Sequence, residues 1–343
     1  MKKFVLIFGF SVLFILGSIA SFNYFIDPMW CFSHKNSFNQ YQMTFNERQQ
    51  KINTMHYQDF NYTALMLGSS RVAYINPHDI KSHKAFNLAV AHMQDFEYNP
   101  YLEYAKQKNG SDFDIVLLGL DFTSAVQRVP QKEISNYINI VNELGYRYKI
   151  LLSLDTLKFS IKNFKNSALE KYKTRGRTCD RDYVTHAYKK SAQYVIDDIN
   201  GYLFPHPYSY NEDYKQHLLE LKHNNPNTKF LIFTTPISSK RFEYIFQDER
   251  NQKLYSRWLK ESLEVFDTLE HFMYINSLTK DYPHTFNGVG HYYPHIGTKI
   301  INKVFDYPDN NKTYPDFGMQ LNLDNLEENI HKIFSTIAKK PYE

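Results

Sequence analysis

Apolar residues form one long run at the start of the chain, and the later runs are short. Phe4 to Phe22 contains nineteen uncharged and mostly apolar residues, preceded by Lys2 and Lys3. This is the length of a membrane-spanning helix, and flanking lysines favour a cytoplasmic N-terminus. The pattern predicts a signal-anchor helix at about residues 4–22, within an anchor of residues 1–26.

A cleavable signal peptide is the alternative to an anchor. Ser18-Ile19-Ala20 has the small-x-small pattern of a cleavage site. The apolar character continues through Tyr24, Phe25 and Ile26, beyond the short core of a removed signal. We therefore prefer the anchor.

The pattern after the anchor predicts a stalk and wrap-around segment at residues 27–61, followed by one α/β domain at residues 62–343. Short unbroken apolar runs alternate there with helical spacing, which indicates strands buried on both faces of a parallel sheet with helices on both sides. Residues 129–201 are rich in Lys, Asn and Tyr and are interpreted as a mostly helical insertion without a strand. The predicted strands are Thr63–Leu67, Ala85–Val90, Asp114–Leu120, Lys229–Thr234 and Phe272–Asn276, and the predicted helices are Pro100–Lys108, Tyr214–His223 and Gln252–Leu269.

Composition narrows the class of protein. The 343 residues carry 40 basic and 36 acidic side chains, which gives a net charge of +4 spread along the chain. A nucleic-acid partner is not expected, because such surfaces need clustered basic residues. The two cysteines, Cys31 and Cys179, either pair or stay apart in an oxidising compartment. The chain has no Gly-rich phosphate loop, and no cofactor is expected.

Chemistry is expected just after the predicted strands, because ligands of open parallel sheets bind at the carboxyl ends of the strands. The first strand leads into Gly68-Ser69-Ser70-Arg71, and the third ends as Leu118-Gly119-Leu120-Asp121. Two histidine blocks follow near the end of the chain: Asp281-Tyr282-Pro283-His284, and His291-Tyr292-Tyr293-Pro294-His295-Ile296-Gly297. A metal cluster of these histidines is not expected, since Pro294 interrupts the helix and no cysteine ligand accompanies them.

These blocks resemble the SGNH or GDSL-type hydrolase superfamily over roughly residues 62–305. The likeness is closer to a group of membrane-anchored bacterial envelope proteins of that superfamily, which share the His-Tyr-x-Pro-x-x-Gly block, a later Asp-Phe-Gly segment and a terminal helix. Asp316-Phe317-Gly318 and Phe25-Ile26-Asp27-Pro28 match that group. The resemblance implies a three-layer, flavodoxin-like (SGNH-type) parallel sheet.

The resemblance also implies a nucleophile and a base. Ser70 is the expected nucleophile, and His291 is the expected base because Pro294 and Gly297 follow it as in the family. The family pattern for the carboxylate that orients the histidine is Asp-x-x-His, which Asp281 and His284 satisfy. Two alternatives stay open: His284 is the base with Asp281 behind it, or His291 is the base and its orienting residue is Asp281, another residue or absent.

The oxyanion or substrate-binding candidates are Arg71, Asn87 and Asp121. The Ser70 amide and the loop after Asn87 are possible oxyanion donors. The family places an asparagine where this chain has Asp121, which replaces a donor by a charge unless Asp121 is protonated or paired with Arg71.

Two functions follow as hypotheses. The first is a serine esterase or O-acyltransferase acting on a cell-envelope glycan or an acyl-carrying substrate, held as a single-pass protein in a bacterial inner membrane with its domain in the periplasm. The resemblance implies a polytopic acyl-donor membrane protein as a partner. The alternative is a catalytically weak or inactive envelope protein with a binding or assembly role. Two departures from the family pattern favour it: Gly288 stands three residues before His291, where the family has an aspartate, and Asp121 stands at the position of the asparagine.

Overall fold

The chain folds into two compact units, each assembled from separated segments. The computed structural model describes residues 1–127, 129–169, 177–201, 208–308 and 313–337. The first unit contains Met1–Phe60 and Lys132–Tyr188, and the second contains Asn61–Gln131 and Lys189–Glu343. Residues 170–176 of the predicted insertion lie outside the described residues.

The first unit begins with a long apolar helix, α1 (Lys2–Ile26), which has 25 residues and a mean hydropathy of 2.4. Its length and composition are sufficient to cross a membrane. The other elements of this unit are β1 (Tyr41–Gln42), α2 (Glu47–Tyr57), α5 (Ile134–Asn142), α6 (Tyr146–Lys149), α7 (Leu154–Ala168), β5 (Arg177–Asp180) and β6 (Thr185–Ala187).

Residues 27–61, predicted as a stalk, contain a buried helix. The Asn46 side chain caps α2 by accepting from the Gln49 N–H at 3.2 Å. Residues 47–55 of this helix are all buried, although most of them are polar. The helix has no apolar stripe, and hydrophobic periodicity therefore gave no sign of it.

The predicted insertion also differs from the expectation, because it contains two strands. β5 and β6 form an antiparallel hairpin, and β1 pairs with β5 so that Gln42 lies opposite Cys179. The strands are short and polar, and one partner comes from the segment near residue 41. Such pairing between distant segments leaves no local pattern in the sequence.

The second unit is built on a six-stranded sheet with the order β3-β2-β4-β7-β8-β9. The strands are β2 (Ala64–Gly68), β3 (Ala85–Asn87), β4 (Ile115–Leu120), β7 (Lys229–Thr234), β8 (Leu269–His271) and β9 (Met319–Leu321). The helices are α3 (Asp95–Asn109), α4 (Phe122–Val126), α8 (Ala192–Gly201), α9 (Tyr214–His223), α10 (Ser239–Phe246), α11 (Glu249–Phe266), α12 (Ser277–Lys280), α13 (Tyr282–Thr285), α14 (Pro294–Val304) and α15 (Leu326–Ser335).

The α/β class is confirmed, but the sheet is mixed rather than wholly parallel. The neighbours among β3, β2, β4, β7 and β8 pair in parallel, whereas β9 pairs antiparallel to β8 at the edge. The strand predicted at Phe272–Asn276 lies earlier, at β8. It ends at His271 because the next two N–H groups, of Phe272 and Met273, donate to the Thr234 hydroxyl instead of to a strand.

The middle of the sheet carries the core of the second unit. Every residue of β2 and β4 is buried, and the two strands pair from Ala64 with Ile115 to Gly68 with Gly119. Their carboxyl ends therefore lie side by side. The turns that follow them carry Ser70 and Asp121.

Candidate active site

The turn after β2 is shaped by glycines on two neighbouring strands. Gly68 has φ +144°, and a Cβ atom there would lie 2.4 Å from Cγ2 of Val72 and 2.8 Å from the Gly119 carbonyl oxygen. A Cβ on Gly119 would lie 2.3 Å from the same Val72 atom. These close approaches allow the turn Ser69–Val72 to fold directly onto the ends of β2 and β4.

The two serines of the turn make different contacts. The Ser69 hydroxyl accepts from the Arg71 N–H at 3.2 Å, and the Ser69 carbonyl accepts from the Ala73 N–H at 3.3 Å. Ser69 therefore supplies the local capping that is common for serine at such turns. The Ser70 hydroxyl instead lies 2.8 Å from Nε2 of His291.

His291 is held by its neighbours on both sides. Its carbonyl accepts from the Asn287 N–H at 2.7 Å, and the Tyr293 N–H donates to the Thr285 carbonyl at 2.9 Å. The imidazole stacks on the ring of Tyr74, with 4.9 Å between the ring centroids. The ring is thus held in contact with Ser70.

Asp121 is paired rather than isolated. One carboxylate oxygen lies 2.9 Å from Nη1 of Arg71 and accepts from the Thr235 hydroxyl. Arg71 also donates from Nε to the Gly290 carbonyl at 2.9 Å. The charge of Asp121 is therefore balanced by Arg71.

Arg241, at the start of α10, was missed by sequence reasoning. It donates from Nη1 to the Val289 carbonyl at 3.0 Å, two residues before His291. Burial and the nearby Arg71 lower the pKa of Arg241 to about 10. Its place soon after the end of β7 was an available signal, since that edge of the sheet also carries Ser70 and Asp121.

A second missed residue, Asp198 on α8, accounts for Gly288. Its carboxylate accepts from the Val289 N–H at 2.8 Å. Gly288 has φ +113°, and a Cβ atom there would lie 2.3 Å from that same carboxylate. The missing side chain at Gly288 thus leaves room for a carboxylate from another helix, which holds the histidine loop.

Asp281 and His284 form a pair of their own. Nδ1 of His284 lies 2.6 Å from the Asp281 carboxylate, whose other oxygen accepts from the Tyr314 hydroxyl at 2.7 Å. The His284 side chain is 63 % exposed. The structure therefore brings His291, and not His284, to Ser70.

Asn87 has a structural set of contacts. Its amide nitrogen donates to the carbonyls of Val72 and Ile75, each at 2.9 Å, and its oxygen accepts from the Ala89 N–H at 3.1 Å. The side chain is buried beneath the Ser70 turn. It supports the turn from below.

A cavity of about 240 Å³ opens over Ser70 and His291. Its described lining combines polar and apolar residues and comes from the segments that follow β2, β3, β4 and β7 and from the histidine loop. Among the described residues no group of three His, Cys, Asp or Glu side chains is placed to hold a metal ion. The lining residues are Ser69, Ser70, Arg71, His92, Met93, Gln94, Asp121, Thr123, Ser124, Gln127, Val129, Arg241, Val289, Gly290 and His291.

The chain matches no protein-family model, no curated protein and no solved structure. Its function therefore has to be inferred from the side chains of the cavity.

Proposed function

We propose that this protein is a serine esterase or O-acyltransferase of the SGNH type that acts on a cell-envelope glycan. The observation that carries this proposal is the 2.8 Å contact between Oγ of Ser70 and Nε2 of His291, both of which line the same cavity. A serine hydroxyl becomes a useful nucleophile at neutral pH when an imidazole within hydrogen-bond reach accepts its proton.

The reaction follows from that contact. Oγ of Ser70 attacks the ester carbonyl while His291 takes the hydroxyl proton, and the proton then passes to the leaving alcohol. An acyl-Ser70 ester remains. Water or a sugar hydroxyl, deprotonated by His291, attacks this ester and releases the acid or the transferred ester.

The backbone N–H of Ser70 is the oxyanion donor that we propose. It donates to no acceptor among the described residues, and it belongs to the nucleophile itself. An N–H so placed stabilises the negative charge that develops on the carbonyl oxygen.

The order of the parallel strands supports a flavodoxin-like (SGNH-type) fold for the second unit. Counted along the chain within the second unit, β3-β2-β4-β7-β8 is the order 2-1-3-4-5, which is the flavodoxin-like order. Ser70 and Asp121 follow the first and third strands of this count, where the strand order reverses. Ligands of such sheets bind at that point.

The location and the partners are part of the same proposal. α1 is long and apolar enough to cross a membrane, and the lysines before it favour a cytoplasmic N-terminus. The catalytic unit would then lie in the periplasm, beside envelope glycans and a polytopic membrane protein that donates acyl groups.

A fluorophosphonate probe tests the proposal on the detergent-solubilised full chain. Ser70 Oγ would displace fluoride from the probe's phosphorus and give a stable covalent adduct. We expect labelling of the wild type, no labelling of Ser70→Ala, and a labelling rate about 10²- to 10⁴-fold lower for His291→Ala. His284→Ala is the matched control, because His284 is exposed and paired with Asp281, and it is expected to label as the wild type does.

A catalytically weak or inactive envelope protein is the second candidate. Asp121 favours it, because this carboxylate stands where the family has an amide donor and is tied to Arg71. Folded wild-type protein that does not label at Ser70 would favour this candidate and contradict the first.

A further inference from the structure

Two arginines line the cavity that contains Ser70 and His291. Arg71 and Arg241 come from the turn after β2 and from α10, and each donates to a backbone carbonyl of the loop that leads into His291. Both guanidinium groups are thus fixed in place by backbone contacts.

Each arginine keeps N–H groups that have no hydrogen-bond partner among the described residues. Arg71 engages Gly290 through Nε and Asp121 through Nη1, which leaves Nη2. Arg241 engages Val289 through Nη1, and its Nε and Nη2 have no hydrogen-bond partner among the described residues. A guanidinium with spare donors in a cavity suits a carboxylate or phosphate oxygen.

The charges of the cavity do not cancel. Asp121 is the only carboxylate among the described lining residues, whereas Arg71 and Arg241 are two cations. Asp121 is already bonded to Arg71. Burial and the neighbouring Arg71 lower the pKa of Arg241 to about 10, and these two effects outweigh the opposing influence of Tyr208 and Asp121.

We propose that Arg71 and Arg241 form an anion subsite beside Ser70, and that the substrate carries a carboxylate or a phosphate close to the ester that reacts. This inference rests on the proposed function. It narrows the substrate class from envelope glycans in general to acidic ones, with either uronic-acid carboxylates or sugar phosphates as the source of the charge.

The test uses three fluorophosphonate probes that differ only in a short tail: uncharged, carboxylate or phosphate. We expect the wild type to react at Ser70 at least about tenfold faster with one of the anionic probes than with the uncharged probe. The faster of the two identifies the source of the charge. Arg241→Gln is expected to reduce this ratio about tenfold or more, and added salt is expected to reduce it as well.

Lys240→Gln is the matched control, because it removes a neighbouring positive charge that does not line the cavity. Its ratio should equal that of the wild type. Labelling at Ser70 with the same rate for all three probes would overturn the anion subsite and leave the esterase proposal intact. No labelling by any probe would contradict the proposed function itself, and the subsite with it.

A separate set of contacts in the first unit concerns the end of α1. The Asn23 amide nitrogen donates to the Leu151 carbonyl, and its oxygen accepts from the Ser160 hydroxyl, each at 2.8 Å. The 3-10 turn Ile150–Leu152 and α7 both pack on α1. The C-terminal end of α1 therefore packs against the segment that contains this turn and α7.

The segment that packs on α1 also lies beside the last apolar residues of this helix. Residues from Phe4 to Leu16 are mostly exposed, whereas Ile19 and Ala20 are partly covered and Asn23 is buried. Ile19 precedes Asn23 by four residues, which is about 6 Å along a helix. Part of the segment therefore lies at the depth of the last apolar turns.

Four large side chains next to this junction are exposed: Leu144, Tyr148, Leu152 and Leu154, at 93 %, 65 %, 50 % and 64 %. We call these four residues the membrane collar. Residues 144–169 contain five basic side chains and one acidic side chain. Apolar and tyrosine side chains with surrounding lysines are typical of surfaces that lie in the lipid headgroup region.

We propose that the membrane collar inserts into the headgroup region of the bilayer that α1 crosses. It would hold the first unit against the membrane at a fixed depth. The exposed apolar side chains are then covered by lipid, and the lysines contact anionic headgroups.

Spin labels on the full-length protein in vesicles of phosphatidylcholine and phosphatidylglycerol test the collar. Leu154→Cys and Leu144→Cys each receive a nitroxide, while Cys31 and Cys179 are buried and protected. We expect both collar labels to collide more with oxygen than with a water-soluble nickel complex. Leu323→Cys, an exposed leucine of the second unit, is the control and should show the reverse. Collar labels as accessible to nickel as the Leu323 label would overturn the proposal.

Discussion

At the scale of single residues, the Gly68–Arg71 turn divides the local roles. Ser69 caps the turn, Ser70 meets His291, and Arg71 balances Asp121. The structure brings together Ser70 and His291, which the resemblance implied as nucleophile and base, and their catalytic roles stay a prediction. The sequence left the choice between His284 and His291 open, because the Asp-x-x-His spacing is satisfied at His284, whose exposed side chain pairs with Asp281 instead of reaching Ser70.

His217 gives a residue-scale prediction about pH. Its Nδ1 lies 2.5 Å from the buried Asp95 carboxylate, and this hydrogen bond, opposed by burial, raises the pKa of His217 above 6.5. A raised pKa in the folded state means that the folded protein binds the proton more tightly. The stabilisation is complete below about pH 6.5 and is lost as pH rises through the folded-state pKa.

We therefore expect the melting temperature to fall between pH 6 and pH 8.5, with part of that fall absent in His217→Gln. Melting of the solubilised protein followed by circular dichroism across this range is the measurement. His223→Gln, on the exposed end of the same helix, is the control and should keep the wild-type profile. An identical pH profile for His217→Gln and the wild type would contradict the prediction.

At the scale of elements, the parts that could be predicted are those with a local signal. β7 and α9 begin and end where the pattern placed them, β4 begins one residue later, and β2 is shifted by one residue at both ends. Each has an unbroken apolar run or a helical apolar spacing. The neighbouring positions of Ser70 and Asp121 could be predicted from these strands, because β2 and β4 are adjacent and their carboxyl ends lie side by side.

The elements that could not be predicted depend on distant partners. α2 is polar and buried, and the β5–β6 hairpin pairs with β1 more than a hundred residues earlier. β9 adds to the sheet in the antiparallel direction through three residues only. Arg241 and Asp198 were missed for the same reason, since each contacts the histidine loop across long sequence separations and neither belongs to a motif.

At the scale of the whole molecule, α1 is long and apolar enough to cross a membrane. Its apolar character continues to Ile26, and Asn23 and Ile26 are buried in the folded first unit. A removed signal peptide ends before the folded protein begins. We therefore expect α1 to be retained as an anchor, and not cleaved after Ala20.

Intact mass of the protein purified from bacterial membranes through a C-terminal tag checks this expectation. The mature chain should contain residues 1–26, stay with the membrane in alkaline carbonate, and dissolve only in detergent. Ala20→Leu removes the small residue that a signal peptidase needs, and it should change the mass by the substitution alone. A wild-type N-terminus at Ser21, with a longer product from Ala20→Leu, would show that the helix is a cleaved signal. The first unit would then be without the apolar helix beside which the membrane collar lies.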